Sequence, residues 1–110
     1  MKVLVVDEPR VRESLATTLA NIGHEVFEAS DNAATQPIFA REQIDVVLAG
    51  WGLPGLNGVE LCRDFRAHQP DWYTYFLLMT SQSSYSASDA LIALEAGVDD
   101  LLLKPVDVTE

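Results

Sequence analysis

The stretch Asp45-Val46-Val47-Leu48-Ala49-Gly50-Trp51-Gly52-Leu53-Pro54-Gly55-Leu56-Asn57-Gly58-Val59-Glu60-Leu61 decides the fold. Its apolar run over 45–49 reads as a strand buried on both faces, as in a parallel sheet. The Pro/Gly-rich residues that follow read as a tight loop. Asn57, with Glu60 three residues later, then opens a helix in the manner of a capping box. Strand, loop and helix in this order form one half of a βα unit.

The same grammar extends in both directions. Lys2–Val6 is a second short apolar run and reads as the first strand. Pro9 suits the first turn of a helix, Val11, Leu15, Leu19 and Ile22 form its apolar stripe, and Gly23 suits a left-handed stop. Residues 24–29 read as a second strand. A helix over 32–43 contains Pro37, which removes an internal hydrogen bond; the helix is therefore kinked, or begins late with Thr35 as its cap. Downstream, 57–68 is a helix, 75–79 a strand, 88–96 a helix stopped by Gly97, and 101–103 a fifth strand. Strands alternating with helices imply an α/β fold with a parallel sheet and right-handed crossovers. Function in such folds sits at the carboxyl ends of the strands, which here carry Asp7, Glu8, Gly50, Thr80, Ser81 and Lys104.

A chain of 110 residues is expected to form one domain, spanning 1–110. The net charge of −10 opposes binding to nucleic acid or an anionic membrane, and a solvated acidic surface explains it. One cysteine, Cys62, precludes an internal disulfide and fits a reducing cytoplasm. It falls in a helical stretch, where a half-buried structural thiol is expected. The apolar opening is too short for a signal peptide or membrane span. Residues 81–88 form a serine-rich patch.

The 45–61 segment closely resembles the central segment of bacterial response-regulator receiver domains, and the resemblance covers essentially the whole chain. Asp7-Glu8-Pro9, Thr80-Ser81, and Lys104-Pro105 preceded by Leu94-Glu95-Ala96-Gly97-Val98-Asp99-Asp100 all match motifs of that family. The resemblance implies a doubly wound, flavodoxin-like or CheY-like five-stranded parallel sheet of order 2-1-3-4-5. It implies that Asp7 and Glu8, with the Gly52 carbonyl, descend from a magnesium site, vestigial here. Thr80, Ser81 and Lys104 are implied to be remnants of a phosphate site, and Pro105 a cis-proline.

The departures are informative. Gly50 stands where the family carries its phosphoacceptor aspartate, and glycine can neither attack phosphorus nor ligate a metal. Leu101 stands at the switch position, which is usually aromatic. The acidic loop is a residue short. No bound cofactor is expected, magnesium being weak or absent, and Lys104 is expected to turn to Asp7.

Two readings follow. One is a non-enzymatic pseudo-receiver of a two-component phosphorelay, acting through contacts with a sensor histidine kinase or an output effector domain. The other is an ordinary phosphoacceptor domain whose aspartate was mutated to Gly50. A flavodoxin-like small-ligand binder would need an anion-accepting glycine loop where Asp7-Glu8-Pro9 is acidic. A hydrolase would need a nucleophile with a matching base, and none is apparent.

Val106–Glu110 reaches only the threshold of a fifth helix, so that helix is expected to be absent or truncated. Whichever of Phe76, Leu78, Leu101 and Leu103 face the first-helix side would then lack cover, and a homodimer is expected to supply it.

Overall fold

The computed structural model describes residues 1–51, 57–68, 71–81 and 87–104. Nine elements alternate: β1 (Lys2–Val6), α1 (Pro9–Asn21), β2 (Glu25–Ala29), α2 (Asn32–Arg41), β3 (Val46–Gly50), α3 (Gly58–Ala67), β4 (Tyr75–Ser81), α4 (Ala87–Glu95) and β5 (Asp100–Lys104). All strand pairings are parallel, and the order is β2-β1-β3-β4-β5. The alternation implied a parallel α/β sheet, and this is the CheY-like doubly wound order that the family resemblance implied.

Two cores flank the sheet. Val3 and Val5 of β1, with Leu48 and Met79, meet Leu15 and Leu19 of α1 on one face. Leu4, Val6, Val47, Phe76 and Leu78 meet Ile38 of α2, Leu61 and Cys62 of α3 and Ala93 of α4 on the other. Period-two alternation along each strand sends neighbouring residues to opposite cores. The central strands are apolar from Val3 to Val6 and from Val46 to Gly50 because both of their faces are covered.

The helix ends follow local chemistry. Asn57 Oδ1 accepts from Val59 N at 3.1 Å and Glu60 N at 3.2 Å, capping α3. Gly23 and Gly97 follow α1 and α4 at φ of 101° and 97°, where a side chain would be strained.

Three expectations require correction. The second helix does not start late: Asp31 caps it, accepting from Ala34 N at 2.8 Å, while Thr35 is fully buried and donates to the Asn32 carbonyl. Pro37 stays inside α2, and the bond it forfeits would end on the carbonyl of exposed Ala33, within reach of water. Ile22 leaves the apolar stripe because α1 ends at Asn21; it lies at the C-cap, 54% exposed. Finally, Phe76, Leu78 and Leu101 all pack on the α2–α4 side, so they need no cover on the α1 face. From β4 and β5 it is Leu77, Met79 and Leu102 that face α1. The expected absence or truncation of a fifth helix concerns 105–110, outside the described residues.

Candidate functional site

The carboxyl ends of four strands converge on one small polar site. β1 releases Asp7, β3 ends at Gly50, β4 supplies Thr80 and β5 ends at Lys104. Register fixes the neighbours: Gly50 lies opposite Met79, Thr80 opposite Leu103, and Ser81 opposite Lys104.

Asp7 is the centre of the arrangement and has no solvent exposure. Its Oδ1 accepts from Glu8 N at 2.7 Å, which fixes the carboxylate at the strand end. Lys104 Nζ stands 2.9 Å from Oδ2 and donates to Oδ1 at 3.2 Å. The ammonium thus straddles both oxygens, and Oδ2 is held by charge without an aligned hydrogen bond. A buried carboxylate so paired avoids the large cost of an isolated buried charge.

Gly50 is part of the same packing. A Cβ on residue 50 would fall 2.7 Å from Asp7 Oδ2 and 2.9 Å from its Cγ. The space in which any side chain at 50 would begin is therefore filled by the Asp7 carboxylate. Gly58 is equally constrained, since a Cβ there would lie 2.3 Å from Leu78 Cδ1 and 2.8 Å from the Gly50 carbonyl.

Glu8 is not beside Asp7 in function. Its carboxylate caps α1, with Oε1 accepting from Val11 N at 3.0 Å. Thr80 is buried, 2% exposed, and Leu101 is half-buried against the α2–α4 core. Gly52 and Pro105 lie outside the described residues. Of the sequence candidates, the fold therefore brings Asp7 into contact with Lys104 and packs it against Gly50, and directs Glu8 elsewhere.

Cys62 is fully buried rather than half-buried, and burial pushes its thiol up to about 11. It is no nucleophile at neutral pH.

Sequence reasoning missed a polar cluster at the opposite end of the sheet. Arg66 of α3 donates to the carbonyls of Gly97 (3.1 Å) and Thr74 (2.9 Å) and to Asp99 Oδ2 (2.9 Å). Asp99 also accepts from Phe76 N and from the Tyr73 hydroxyl. Its carboxylate raises the Tyr73 phenol above its ordinary value. The cluster ties α3 to the start of β4 and the α4–β5 turn. Only pairing of residues up to 33 apart reveals it.

Comparison with known proteins agrees with this geometry. Residues 3–110 match the response regulator receiver domain family. Response regulator MprA of Mycobacterium leprae is 35% identical over 111 residues, covering 100% of this chain and 47% of that protein. The probable transcriptional regulator ycf27 of Porphyridium aerugineum is 33% identical, covering 99% of this chain and 44% of that protein. The chain thus spans about half the length of these relatives. Among solved structures, the activated N-terminal receiver domain of Klebsiella pneumoniae RstA superposes with a TM-score of 0.83 at 31% identity, covering 99% of this chain and 90% of that one. Vibrio cholerae CheY4 gives 0.88 at 25% identity, covering 96% and 88%. Sheet order, the converging strand ends and these matches together place the chain in the response regulator receiver domain family.

Proposed function

We propose that this receiver is a pseudo-receiver: residues 1–110 act as one cytoplasmic, non-enzymatic domain that signals through protein contacts without aspartate phosphorylation. The observation that carries this reading is the Asp7–Lys104 ion pair packed directly on Gly50. Receiver domains typically hold magnesium at this acidic end. The residues here do not fit the ion: Gly50 offers no side-chain oxygen, Glu8 is spent on the α1 cap, and Asp7 is neutralised by Lys104. Magnesium surrenders water reluctantly and needs charged ligands, which one occupied carboxylate does not provide. Without a phosphoryl group to recruit Lys104 and Thr80, no differential free energy favours a second state.

The partners on this reading are a sensor histidine kinase or an output effector domain, together with a second copy of the chain. Nucleic acid and membrane surfaces are disfavoured by the net charge of −10. Among the described residues, no helix is long and apolar enough to cross a membrane.

The test is incubation with acetyl phosphate or beryllofluoride in magnesium, followed by intact-mass measurement. No mass shift is expected. A single phosphoryl adduct mapped to Asp7 or to 50–58 would overturn the reading.

The alternative is a phosphoacceptor domain in which the aspartate was changed to Gly50. It draws on the retention of Asp7, Thr80 and Lys104 at one end of the sheet. Gly50→Asp separates the two: efficient labelling of that variant would favour the alternative.

A further inference from the structure

Asp7 follows β1 and Lys104 ends β5, and the sheet order puts β3 and β4 between them. The Lys104 ammonium nevertheless reaches both oxygens of the Asp7 carboxylate, at 2.9 Å and 3.2 Å. Asp7 is fully buried and the Lys104 side chain is 22% exposed, so the lysine covers the carboxylate from the solvent side. Gly50 makes this reach possible. A Cβ there would stand 2.7 Å from Asp7 Oδ2 and 3.1 Å from Oδ1. The carboxylate therefore lies over the end of β3, in the volume a side chain at 50 would need, and meets Lys104 from there.

This donor set suits an ammonium and not a divalent metal. An ammonium carries a single charge, which one carboxylate neutralises, and donates hydrogen bonds over distances like those seen here. Magnesium demands an octahedral oxygen shell at about 2.0–2.1 Å. Glu8 is turned to the α1 cap. Among the described residues, no three His, Cys, Asp or Glu side chains gather where they could hold a metal ion.

We infer that Asp7 and Gly50 form a site for a primary ammonium ion, with Lys104 as its resident cation in place of a metal. The inference rests on the pseudo-receiver reading and deepens it. A metal ion exchanges with solvent, whereas the Lys104 ammonium is covalently part of β5. It ties β5 to β1 across the two intervening strands, and the domain keeps one state whether divalent ions are present or chelated. Its contact surfaces are then presented constantly, and its signalling is set by the availability of its partner.

Manganese tests the unaltered protein, because its paramagnetism broadens the amide signals of residues near it. The amides of Glu8 and Gly50 should broaden no more than that of exposed Asp71, at the far end of the sheet. Magnesium should shift the melting temperature no more than sodium chloride of equal ionic strength. Lys104→Ala then opens the site to an outside cation. n-Propylammonium supplies the missing carbons and nitrogen, n-propanol has the same shape without charge, and tetramethylammonium has charge without N–H donors. Propylammonium should raise the melting temperature of Lys104→Ala saturably. It should bind at least about tenfold tighter than the other two, as expected when a buried carboxylate regains a charged donor. Asp7→Asn combined with Lys104→Ala should abolish that preference. If Lys104→Ala does not fold alone, the same series is read as recovery of the folded spectrum, which propylammonium alone should give.

The inference is overturned if manganese selectively broadens Glu8 and Gly50 in the unaltered protein, or if propylammonium does no better than propanol. It is also overturned if magnesium stabilises Lys104→Ala as well as propylammonium does. A phosphoryl adduct on the unaltered protein would instead sink the pseudo-receiver reading, so the two failures are told apart.

Discussion

Asp7 occupies the volume in which a side chain on residue 50 would begin: a Cβ on Gly50 would stand 2.7 Å from Asp7 Oδ2. The two residues are coupled sterically, and the Asp7 carboxylate cannot swing away freely while Lys104 and the Glu8 amide hold it. Gly50→Ala should therefore destabilise the fold by about 1–3 kcal/mol, the usual cost of overpacking. Asp7→Ala removes the obstructing atoms, so the double variant should be more stable than the sum of the single effects allows by at least about 0.5 kcal/mol. Urea denaturation of the four proteins in the cycle measures this. A neutral Gly50→Ala with strictly additive effects would mean that the carboxylate relaxes at no cost.

The ion pair itself gives a second expectation. Lys104→Met leaves the fully buried Asp7 charge without its counterion. Breaking a buried pair in this way costs about 3–5 kcal/mol, and the partial exposure of Lys104 brings the expected loss down to about 2–3 kcal/mol. Asp7→Asn combined with Lys104→Met should recover most of that loss, because no unpaired charge remains. If the double variant is as unstable as Lys104→Met alone, the lysine acts through its packing and not its charge.

At the far end of the sheet, Arg66 holds the carbonyls of Gly97 and Thr74 and the carboxylate of Asp99. Arg66→Ala should cost about 2–3 kcal/mol, since several charge-assisted hydrogen bonds vanish together. Arg66→Lys should restore less than half, because a point charge cannot span separate acceptors as a planar fork does. Hydrogen exchange should show the loss first at 97–100. Uniform loss of protection across the whole chain would assign the effect to global stability alone.

These three expectations mark where the sequence was legible and where it was not. Strand and helix order could be read because each depends on residues a few positions apart: Asn57 on Glu60, or Gly23 at the end of the α1 stripe. Alternation also implied the two-sided core. The site was legible as a set of strand ends, since in this topology they must converge. What escaped is the traffic between distant segments. Lys104 and Asp7 are 97 positions apart, and the collision between Gly50 and Asp7 needs three-dimensional register. Glu8 looked like a metal ligand until the start of α1 claimed its carboxylate. Pro37 suggested a late start to α2 because the Asp31 cap went unweighed against it.

Burial of Cys62 carries a pH signature. Its thiol is pushed up to about 11 in the fold, against 9.0 for the free group. The folded state therefore holds its proton more tightly, so the thiol's contribution is complete below pH 9 and is lost as pH rises toward 11. Within that window the slope should approach about −1.4 kcal/mol of stability per pH unit, relative to a chain without the thiol. The check is urea denaturation of the protein and of Cys62→Ala across this range. Parallel pH profiles for the two would show that the thiol does not titrate as burial requires.

Self-association is expected from the sequence on the α1 face; the fold also presents an apolar surface on α4. Leu91 and Leu94 of α4 are 62% and 61% exposed, and lie three residues apart on one helical stripe. Ile92 of the same helix is 43% exposed. Single exposed apolar side chains are ordinary, whereas several on one helix favour a contact that removes them from water. At roughly 25 cal/mol per Å², several hundred Å² of such surface is worth several kcal/mol before the costs of association. Light scattering at increasing concentration should show a reversible dimer, and Leu91→Lys with Leu94→Lys should return it to monomer. Both positions are exposed, so stability should change by no more than about 0.5 kcal/mol each. A monomer at hundreds of micromolar would reserve this face for a different partner, and a dimer unaffected by both lysines would place the contact elsewhere on the molecule.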